Sequence, residues 1–146
     1  MVIHQGFRAA LLALMAAAVA CGGTGGGAGD VLPWERDYQV ALSRAGDEGK
    51  PIMVEFYTDW CGWCKRLERD TFSDAKVQQA LESFIPVKLN AEREGRELAT
   101  RLGVRAYPTV VFFDSRGQEL GRIPGYMSAE PFLEELGDVR SRQRSS

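Results

Sequence analysis

Two cysteines with two residues between them, Cys61-Gly62-Trp63-Cys64, closely follow a strand-length apolar run, Ile52-Met53-Val54-Glu55-Phe56-Tyr57. A nearly continuous run of that length reads as a strand covered on both faces, and after Cys61 the pattern turns helical through Leu67. The pair therefore sits at a strand-to-helix junction, where one helical turn brings the Cα atoms to roughly 5–6 Å, within disulfide range. At the helix N-terminus, unpaired backbone N–H groups and the helix dipole favour a thiolate, which makes Cys61 the nucleophile. Cys64, one turn further on, is shielded and better suited to resolve a mixed disulfide. The spacing predicts a redox-active Cys61–Cys64 disulfide. Two blander uses compete with it. A zinc site needs four ligands, and the chain offers a single histidine, His4, and no second cysteine pair, so no metal and no cofactor is expected. A static bridge over so short a loop would constrain the unfolded chain little.

The chain has 146 residues, 45% of them hydrophobic and 26% charged, which provides for one domain and one core. Its formal charge is −2 with no contiguous basic run, so nucleic acid is not expected as a partner. Residues 1–20 read as a secretory signal peptide: Arg8 is followed by an uncharged stretch from Ala9 to Ala20, shorter than the roughly 20 residues that span a bilayer. Ala18-Val19-Ala20-Cys21 resembles a bacterial lipoprotein box, with Ala18 where Leu is commoner. That resemblance implies lipid attachment at Cys21 and anchoring to a membrane. With Cys61 and Cys64 paired, Cys21 is the cysteine left over, and a free thiol on a loose end is the alternative. Residues 21–32, rich in glycine, form a tether with a reach of about 18 Å.

Residues 33–139 carry the folded domain. Trp34, Tyr38, Ala41, Leu42 and Ala45 predict an opening helix, closed by Gly46 and Gly49-Lys50-Pro51. Ser73 reads as the N-cap of a segment with Val77, Ala80 and Leu81. Ile85, Val87 and Leu89 mark a second strand, in which Pro86 argues for a start or an edge. Leu98, Ala99 and Leu102 make a short helix ended by Gly103. Thr109–Phe113 is a buried strand, and Ser115-Arg116-Gly117 turns it into a hairpin through Ile123. Ser128 caps a last helix with Phe132, Leu133 and Leu136 inward. Residues 140–146 are polar and aperiodic and are expected to be disordered. A βαβ unit followed by ββα predicts an α/β fold with helices on both faces of the sheet. Within it Glu55 stands out, because a carboxylate in an apolar strand is costly when charged. Burial would raise its pKa toward a range useful for proton transfer, whereas an edge position would leave it solvated.

Val54-Glu55-Phe56, Trp60-Cys61-Gly62-Trp63-Cys64-Lys65 and Tyr107-Pro108-Thr109 resemble, in order and spacing, the strand, active-site turn and cis-proline of the thioredoxin superfamily. Phe56-Tyr57-Thr58-Asp59-Trp60-Cys61, Thr71-Phe72-Ser73-Asp74 and Gly125-Tyr126-Met127 look most like the C-terminal thioredoxin-like domain of the DsbD thiol reductants. The resemblance implies a thioredoxin fold with a central mixed sheet. It puts Glu55 in place of a buried Asp that relays a proton to the resolving cysteine, and Lys88 in place of a lysine paired with that acid. It also implies that Pro108 is cis beside the cysteines, with the Tyr107 backbone offered to an incoming peptide. Trp60, Gly62 and Trp63 would form a flat rim for substrate, plain packing being the other use of the tryptophans. Trp63 stands where thioredoxins usually have Pro, and Tyr107 where a small or β-branched residue is common.

Gly62 and Trp63 bring no charge to stabilise a thiolate, Glu55 and Asp59 oppose one, and Lys65 favours it weakly. A fairly reducing pair, nearer thioredoxin than DsbA, is expected. The resulting expectation is a monomeric, membrane-tethered, extracytoplasmic reductase of partner-protein disulfides, in the periplasm or at the cell surface, recharged by a membrane electron donor. An oxidase or isomerase sharing the same site remains open. So does a non-catalytic module that docks partners on Trp60, Trp63 and Tyr107.

Overall fold

The computed structural model describes residues 31–145. The expected signal peptide at 1–20, Cys21 and most of the expected tether lie outside the described residues. The described chain runs α1 (Tyr38–Glu48), β1 (Ile52–Tyr57), α2 (Gly62–Leu67), a π-helical turn (Glu68–Phe72), α3 (Ala75–Leu81), β2 (Ile85–Asn90), α4 (Arg96–Arg101), β3 (Thr109–Phe113), β4 (Glu119–Pro124) and α5 (Ala129–Ser145). The sheet order is β2-β1-β3-β4. β1 pairs parallel with β2, while β3 is antiparallel to both β1 and β4. This is the mixed sheet of the thioredoxin fold.

Strand alternation sends β1 side chains to opposite faces. Ile52, Val54 and Phe56 join Val111, Phe113 and the inward residues of α1 and α4, Ala41, Ala45, Leu98 and Ala99. Met53 joins Val110, Phe112 and Ile123 beneath α2, α3 and α5, which contribute Leu67, Val77, Phe132 and Leu136. On this second face Trp34, Phe72, Phe132 and Phe112 form a chain of rings, the first two contacts edge-to-face at 5.3 and 5.6 Å and the last tilted at 6.4 Å. Each fully buried phenyl ring contributes about 1.5–3 kcal/mol. The two cores clamp β1, and so fix where its C-terminal end delivers the cysteine turn.

Four expectations are corrected. Trp34 precedes the first helix, which Asp37 caps: its carboxylate accepts from Gln39 N at 2.7 Å and Val40 N at 3.3 Å. The stretch before it is extended along the outer edge of β2, with Glu35 N donating to Pro86 O at 2.8 Å and Lys88 N to Glu35 O at 3.0 Å. Leu32, assigned to the tether, is buried in the second core. The N-cap of α3 is Asp74, whose Oδ1 accepts from Lys76 N and Val77 N at 2.8 and 3.1 Å, while the Ser73 hydroxyl donates backward to Arg69 O. Residues 140–145, expected to be disordered, continue α5. Their arginines have definite partners: Arg140 Nη2 donates to Ala80 O and to Ser83 Oγ, and Arg142 Nη1 to Leu120 O at 3.0 Å. Among the described residues no helix is long and apolar enough to cross a membrane.

Candidate active site

β1 ends at Tyr57, and the chain turns through Thr58, Asp59 and Trp60 into α2. Cys61 N donates to Thr58 O at 3.2 Å, which closes the turn. Cys61 caps α2 with sulfur, its Sγ accepting from Cys64 N at 3.1 Å. The two cysteines are joined as a disulfide with their Cα atoms 5.3 Å apart. Both are nearly buried, at 4% and 3% exposure. A helix-start N–H directed at Cys61 Sγ is the local feature that stabilises a thiolate there once the bond opens.

Around this pair the rim is aromatic and open. Trp60 is 68% and Trp63 55% exposed, so neither serves plain packing. The Trp60 indole N–H reaches both oxygens of Glu92 at 3.2 Å, and its ring meets that of Tyr107 edge-on at 6.1 Å. Trp63 leans on Tyr126 at 5.6 Å, and the Arg66 guanidinium stacks over both rings. Gly62 is exposed, with open space where a Cβ would project. The Tyr107–Pro108 peptide bond is cis, and Pro108 O accepts from Gly125 N at 2.8 Å. Trp63, Tyr107, Gly125 and Tyr126 line a shallow cleft of about 340 Å³. A larger cleft of about 480 Å³ runs past Trp34, Arg44, Gln78 and Glu82, and neither cysteine lines it.

Glu55 is fully buried, and neither of its oxygens has a hydrogen-bond partner. Burial pushes its pKa up to about 7, against the opposing pull of the Lys88 and Arg36 cations. The solvated alternative for Glu55 is thereby excluded. Thr58 Oγ1, between Glu55 and the cysteines in sequence, is also buried without a partner. Lys88 faces Glu55 across the β1–β2 register. Lys88 acts on Glu55 as a nearby charge without a hydrogen bond to its oxygens, and it forms an ion pair with Glu68 of the π-helical turn. The Lys88 ammonium also lies 4.9 Å from the Tyr57 ring centroid and 5.8 Å from that of Trp34. Its long stem carries the charge past the strand toward a half-buried carboxylate. Lys65 is exposed on α2.

Several residues of this site were not singled out from the sequence. Glu68 lies four positions after Cys64, a spacing that places it on the same helical side. Asn90 ends β2, and Glu92 and Arg93 belong to the loop after it: Asn90 Nδ2 donates to Asp59 Oδ1 at 3.1 Å, and Arg93 pairs with Asp59. Arg66 completes the stack on Trp63 with Tyr126, a residue that the sequence offered only within the Gly125-Tyr126-Met127 resemblance. Only the fold brings Tyr126 there, with Thr71 Oγ1 donating to Met127 O at 2.6 Å to dock its loop.

Residues 38–140 match the family model described as a thioredoxin-like domain. Over 103 residues the chain is 42% identical to the thiol:disulfide interchange protein DsbD of Salmonella paratyphi A and 41% identical to that of Yersinia pestis. Each alignment takes in 67% of this chain but only 18% and 17% of the relative. The chain thus matches less than a fifth of the length of these curated relatives. Among solved structures, a thioredoxin from Thermus thermophilus superposes with a TM-score of 0.70 at 32% identity, over 77% of this chain and 90% of that one. A putative disulphide-isomerase from Bacteroides thetaiotaomicron gives 0.65 at 35% identity, over 80% and 97%. The oxidised DsbD C-terminal domain of Neisseria meningitidis gives 0.57 at 28% identity, over 72% and 98%. With its mixed sheet, its helix-capping cysteine pair and a family match running from α1 into α5, the chain belongs to the thioredoxin-like domain family.

Proposed function

We propose that this protein is an extracytoplasmic thiol-disulfide oxidoreductase that reduces disulfides of partner proteins and is held at a membrane through lipid on Cys21. The observation that carries the exchange chemistry is the Cys61–Cys64 disulfide at the start of α2, opening onto an exposed aromatic rim. In the reduced protein, Cys61 thiolate attacks one sulfur of the partner disulfide, forming a mixed disulfide and expelling the first partner thiolate. Cys64 gives its proton to Glu55 and attacks Cys61 Sγ, which expels the second partner thiolate. Two electrons pass to the partner, and the chain is left with the Cys61–Cys64 bond seen here. Pro108 and the Tyr107 backbone position the partner strand, while Trp60, Gly62 and Trp63 form its contact rim.

The relatives named DsbD and the uncharged Gly62-Trp63 pair support the reducing direction. The leader pattern at 1–20 and the Ala18-Val19-Ala20-Cys21 box support location and anchor. A reductant in an oxidising compartment must be recharged, and a membrane electron carrier outside this domain is the proposed donor. An isomerase is the second reading, favoured by the 35% identity to a putative disulphide-isomerase.

The reduction potential separates these directions. It is measured in glutathione or dithiothreitol buffers by alkylation of Cys61 and Cys64. A value near about −270 mV is expected, and one near about −120 mV would reverse the proposed electron flow. Cys64→Ala should trap mixed disulfides with partners; an empty trap together with intact docking would make this a binding module. Mass spectrometry of the mature N-terminus should find diacylglycerol on Cys21, and a bare cysteine there would remove the anchor.

A further inference from the structure

The outer side of the active-site helix carries charge that the exchange chemistry does not use. Lys65, Arg66 and Arg69 are exposed there, and Asp70 is the exposed carboxylate among them. Both arginines converge on Asp70, Arg66 through Nε at 3.1 Å and Arg69 through Nε and Nη2 at 2.7 and 3.1 Å. Glu68 is committed to Lys88. Lys65 has no ion-pair partner among the described residues. Three cations against one anion leave this side positive on a chain whose formal charge is −2.

Arg66 is where that charge meets the groove. Its guanidinium carbon lies 5.2 Å from the Trp63 ring centroid and 4.9 Å from that of Tyr126, yet 48% of the side chain stays exposed. Stacking between two rings with Nε held by Asp70 fixes the plane of the fork and leaves outward N–H donors aimed at solvent. A fork immobilised in this way is preorganised for a carboxylate. The same rings wall the shallow clefts at the active-site turn, one of them lined by Gly62 and Trp63, the two residues between the cysteines. Across the groove the charges answer one another: Arg93 pairs with Asp59, and Glu92 takes the Trp60 indole N–H.

We propose that Arg66, supported by Lys65 and Arg69, selects partner disulfides that lie in acidic segments. An apolar or aromatic side chain of the partner packs on Trp63 and Tyr126, and a carboxylate close to its reactive cysteine pairs with the Arg66 fork. The inference rests on the reductase reading above and adds to it the class of partner.

The test uses the reduced full chain and three peptides of one sequence. Each carries its cysteine as a disulfide to a neutral chromophoric thiol, with Glu, Gln or Lys two residues away. Each exchange rate is divided by the rate of the same peptide with dithiothreitol, which removes the intrinsic effect of the charge on the disulfide. The Glu peptide should react about fivefold faster than the Lys peptide in about 50 mM salt, and the ratio should approach one in about 1 M salt. In the Arg66→Gln/Arg69→Gln double variant the ratio should fall below about twofold. Arg66→Lys, which keeps charge and loses the flat stack, should give an intermediate ratio. Equal normalised rates for the Glu and Lys peptides in the unmodified chain overturn the inference, as does a ratio that survives in the double variant. The neutral Gln peptide isolates the underlying reading: if dithiothreitol reduces it and the protein does not, the reductase reading itself fails.

Discussion

Glu55 is the residue whose proton the fold controls most closely. Its carboxyl is fully buried, with both oxygens unpartnered, and burial raises its pKa to about 7 in spite of the Lys88 and Arg36 cations. A carboxyl that holds its proton more tightly folded than unfolded favours the native state most at low pH. That contribution is complete below about pH 4.5 and is lost as the pH rises through about 7, a difference of about 3 kcal/mol. Glu55→Gln, close in shape to the protonated acid, should match the parent in urea unfolding near pH 4. By pH 8 it should be about 3 kcal/mol more stable. A stability difference that is the same at both pH values would mean that Glu55 does not titrate in this range. In the proposed exchange the same group receives the Cys64 proton, so release of the second partner thiolate should slow about 100-fold in the variant. It should also lose the rise in rate near pH 7 expected of the parent.

The elements differ in how far each is specified by its own residues. Arg140 sits beyond the apolar stripe of α5, yet its guanidinium donates to Ala80 O and Ser83 Oγ and lies 5.7 Å from the Phe84 ring centroid. Arg140→Ala should therefore cost about 1–3 kcal/mol and release amide protection across residues 140–145 in hydrogen exchange. Unchanged protection would show that the helix end holds itself. Nothing in the periodicity of 140–146 announces those bonds, because both partners arrive from α3 and the turn after it. Trp34 is misplaced for a related reason: its spacing suits a helix, but the Asp37 cap and the edge of β2 claim that stretch for extended chain. β1 and β3 are legible to the residue, since a strand buried on both faces is written as a nearly continuous apolar run. The cysteine pair is legible because its geometry is local to one helical turn. The Lys88–Glu68 pair and the Trp63–Arg66–Tyr126 stack are not, each needing side chains from separate elements.

At the scale of the whole molecule, opening one bond couples to the stability of the entire domain. By a thermodynamic cycle, the potential of the folded cysteine pair, relative to the unfolded pair, equals the stability difference between oxidised and reduced protein. Strong oxidants of this chemistry owe their potential to a stabilised reduced form. Here Gly62 and Trp63 add no charge near Cys61, an ionised Glu55 would oppose a second buried anion, and Lys65 projects outward into solvent. The reduced form thus gains little beyond the helix-start N–H at Cys61 Sγ. Oxidation, in turn, constrains the unfolded chain across the short Cys61–Cys64 loop, which chain entropy puts at about 2 kcal/mol. The oxidised protein should therefore be the more stable form, unfolding at a urea concentration about 1 M higher than the reduced protein. Such an ordering fits a pair that passes its electrons on to partners. If the reduced form instead resists urea better, the site stabilises its thiolate, and the protein would accept electrons from partner thiols.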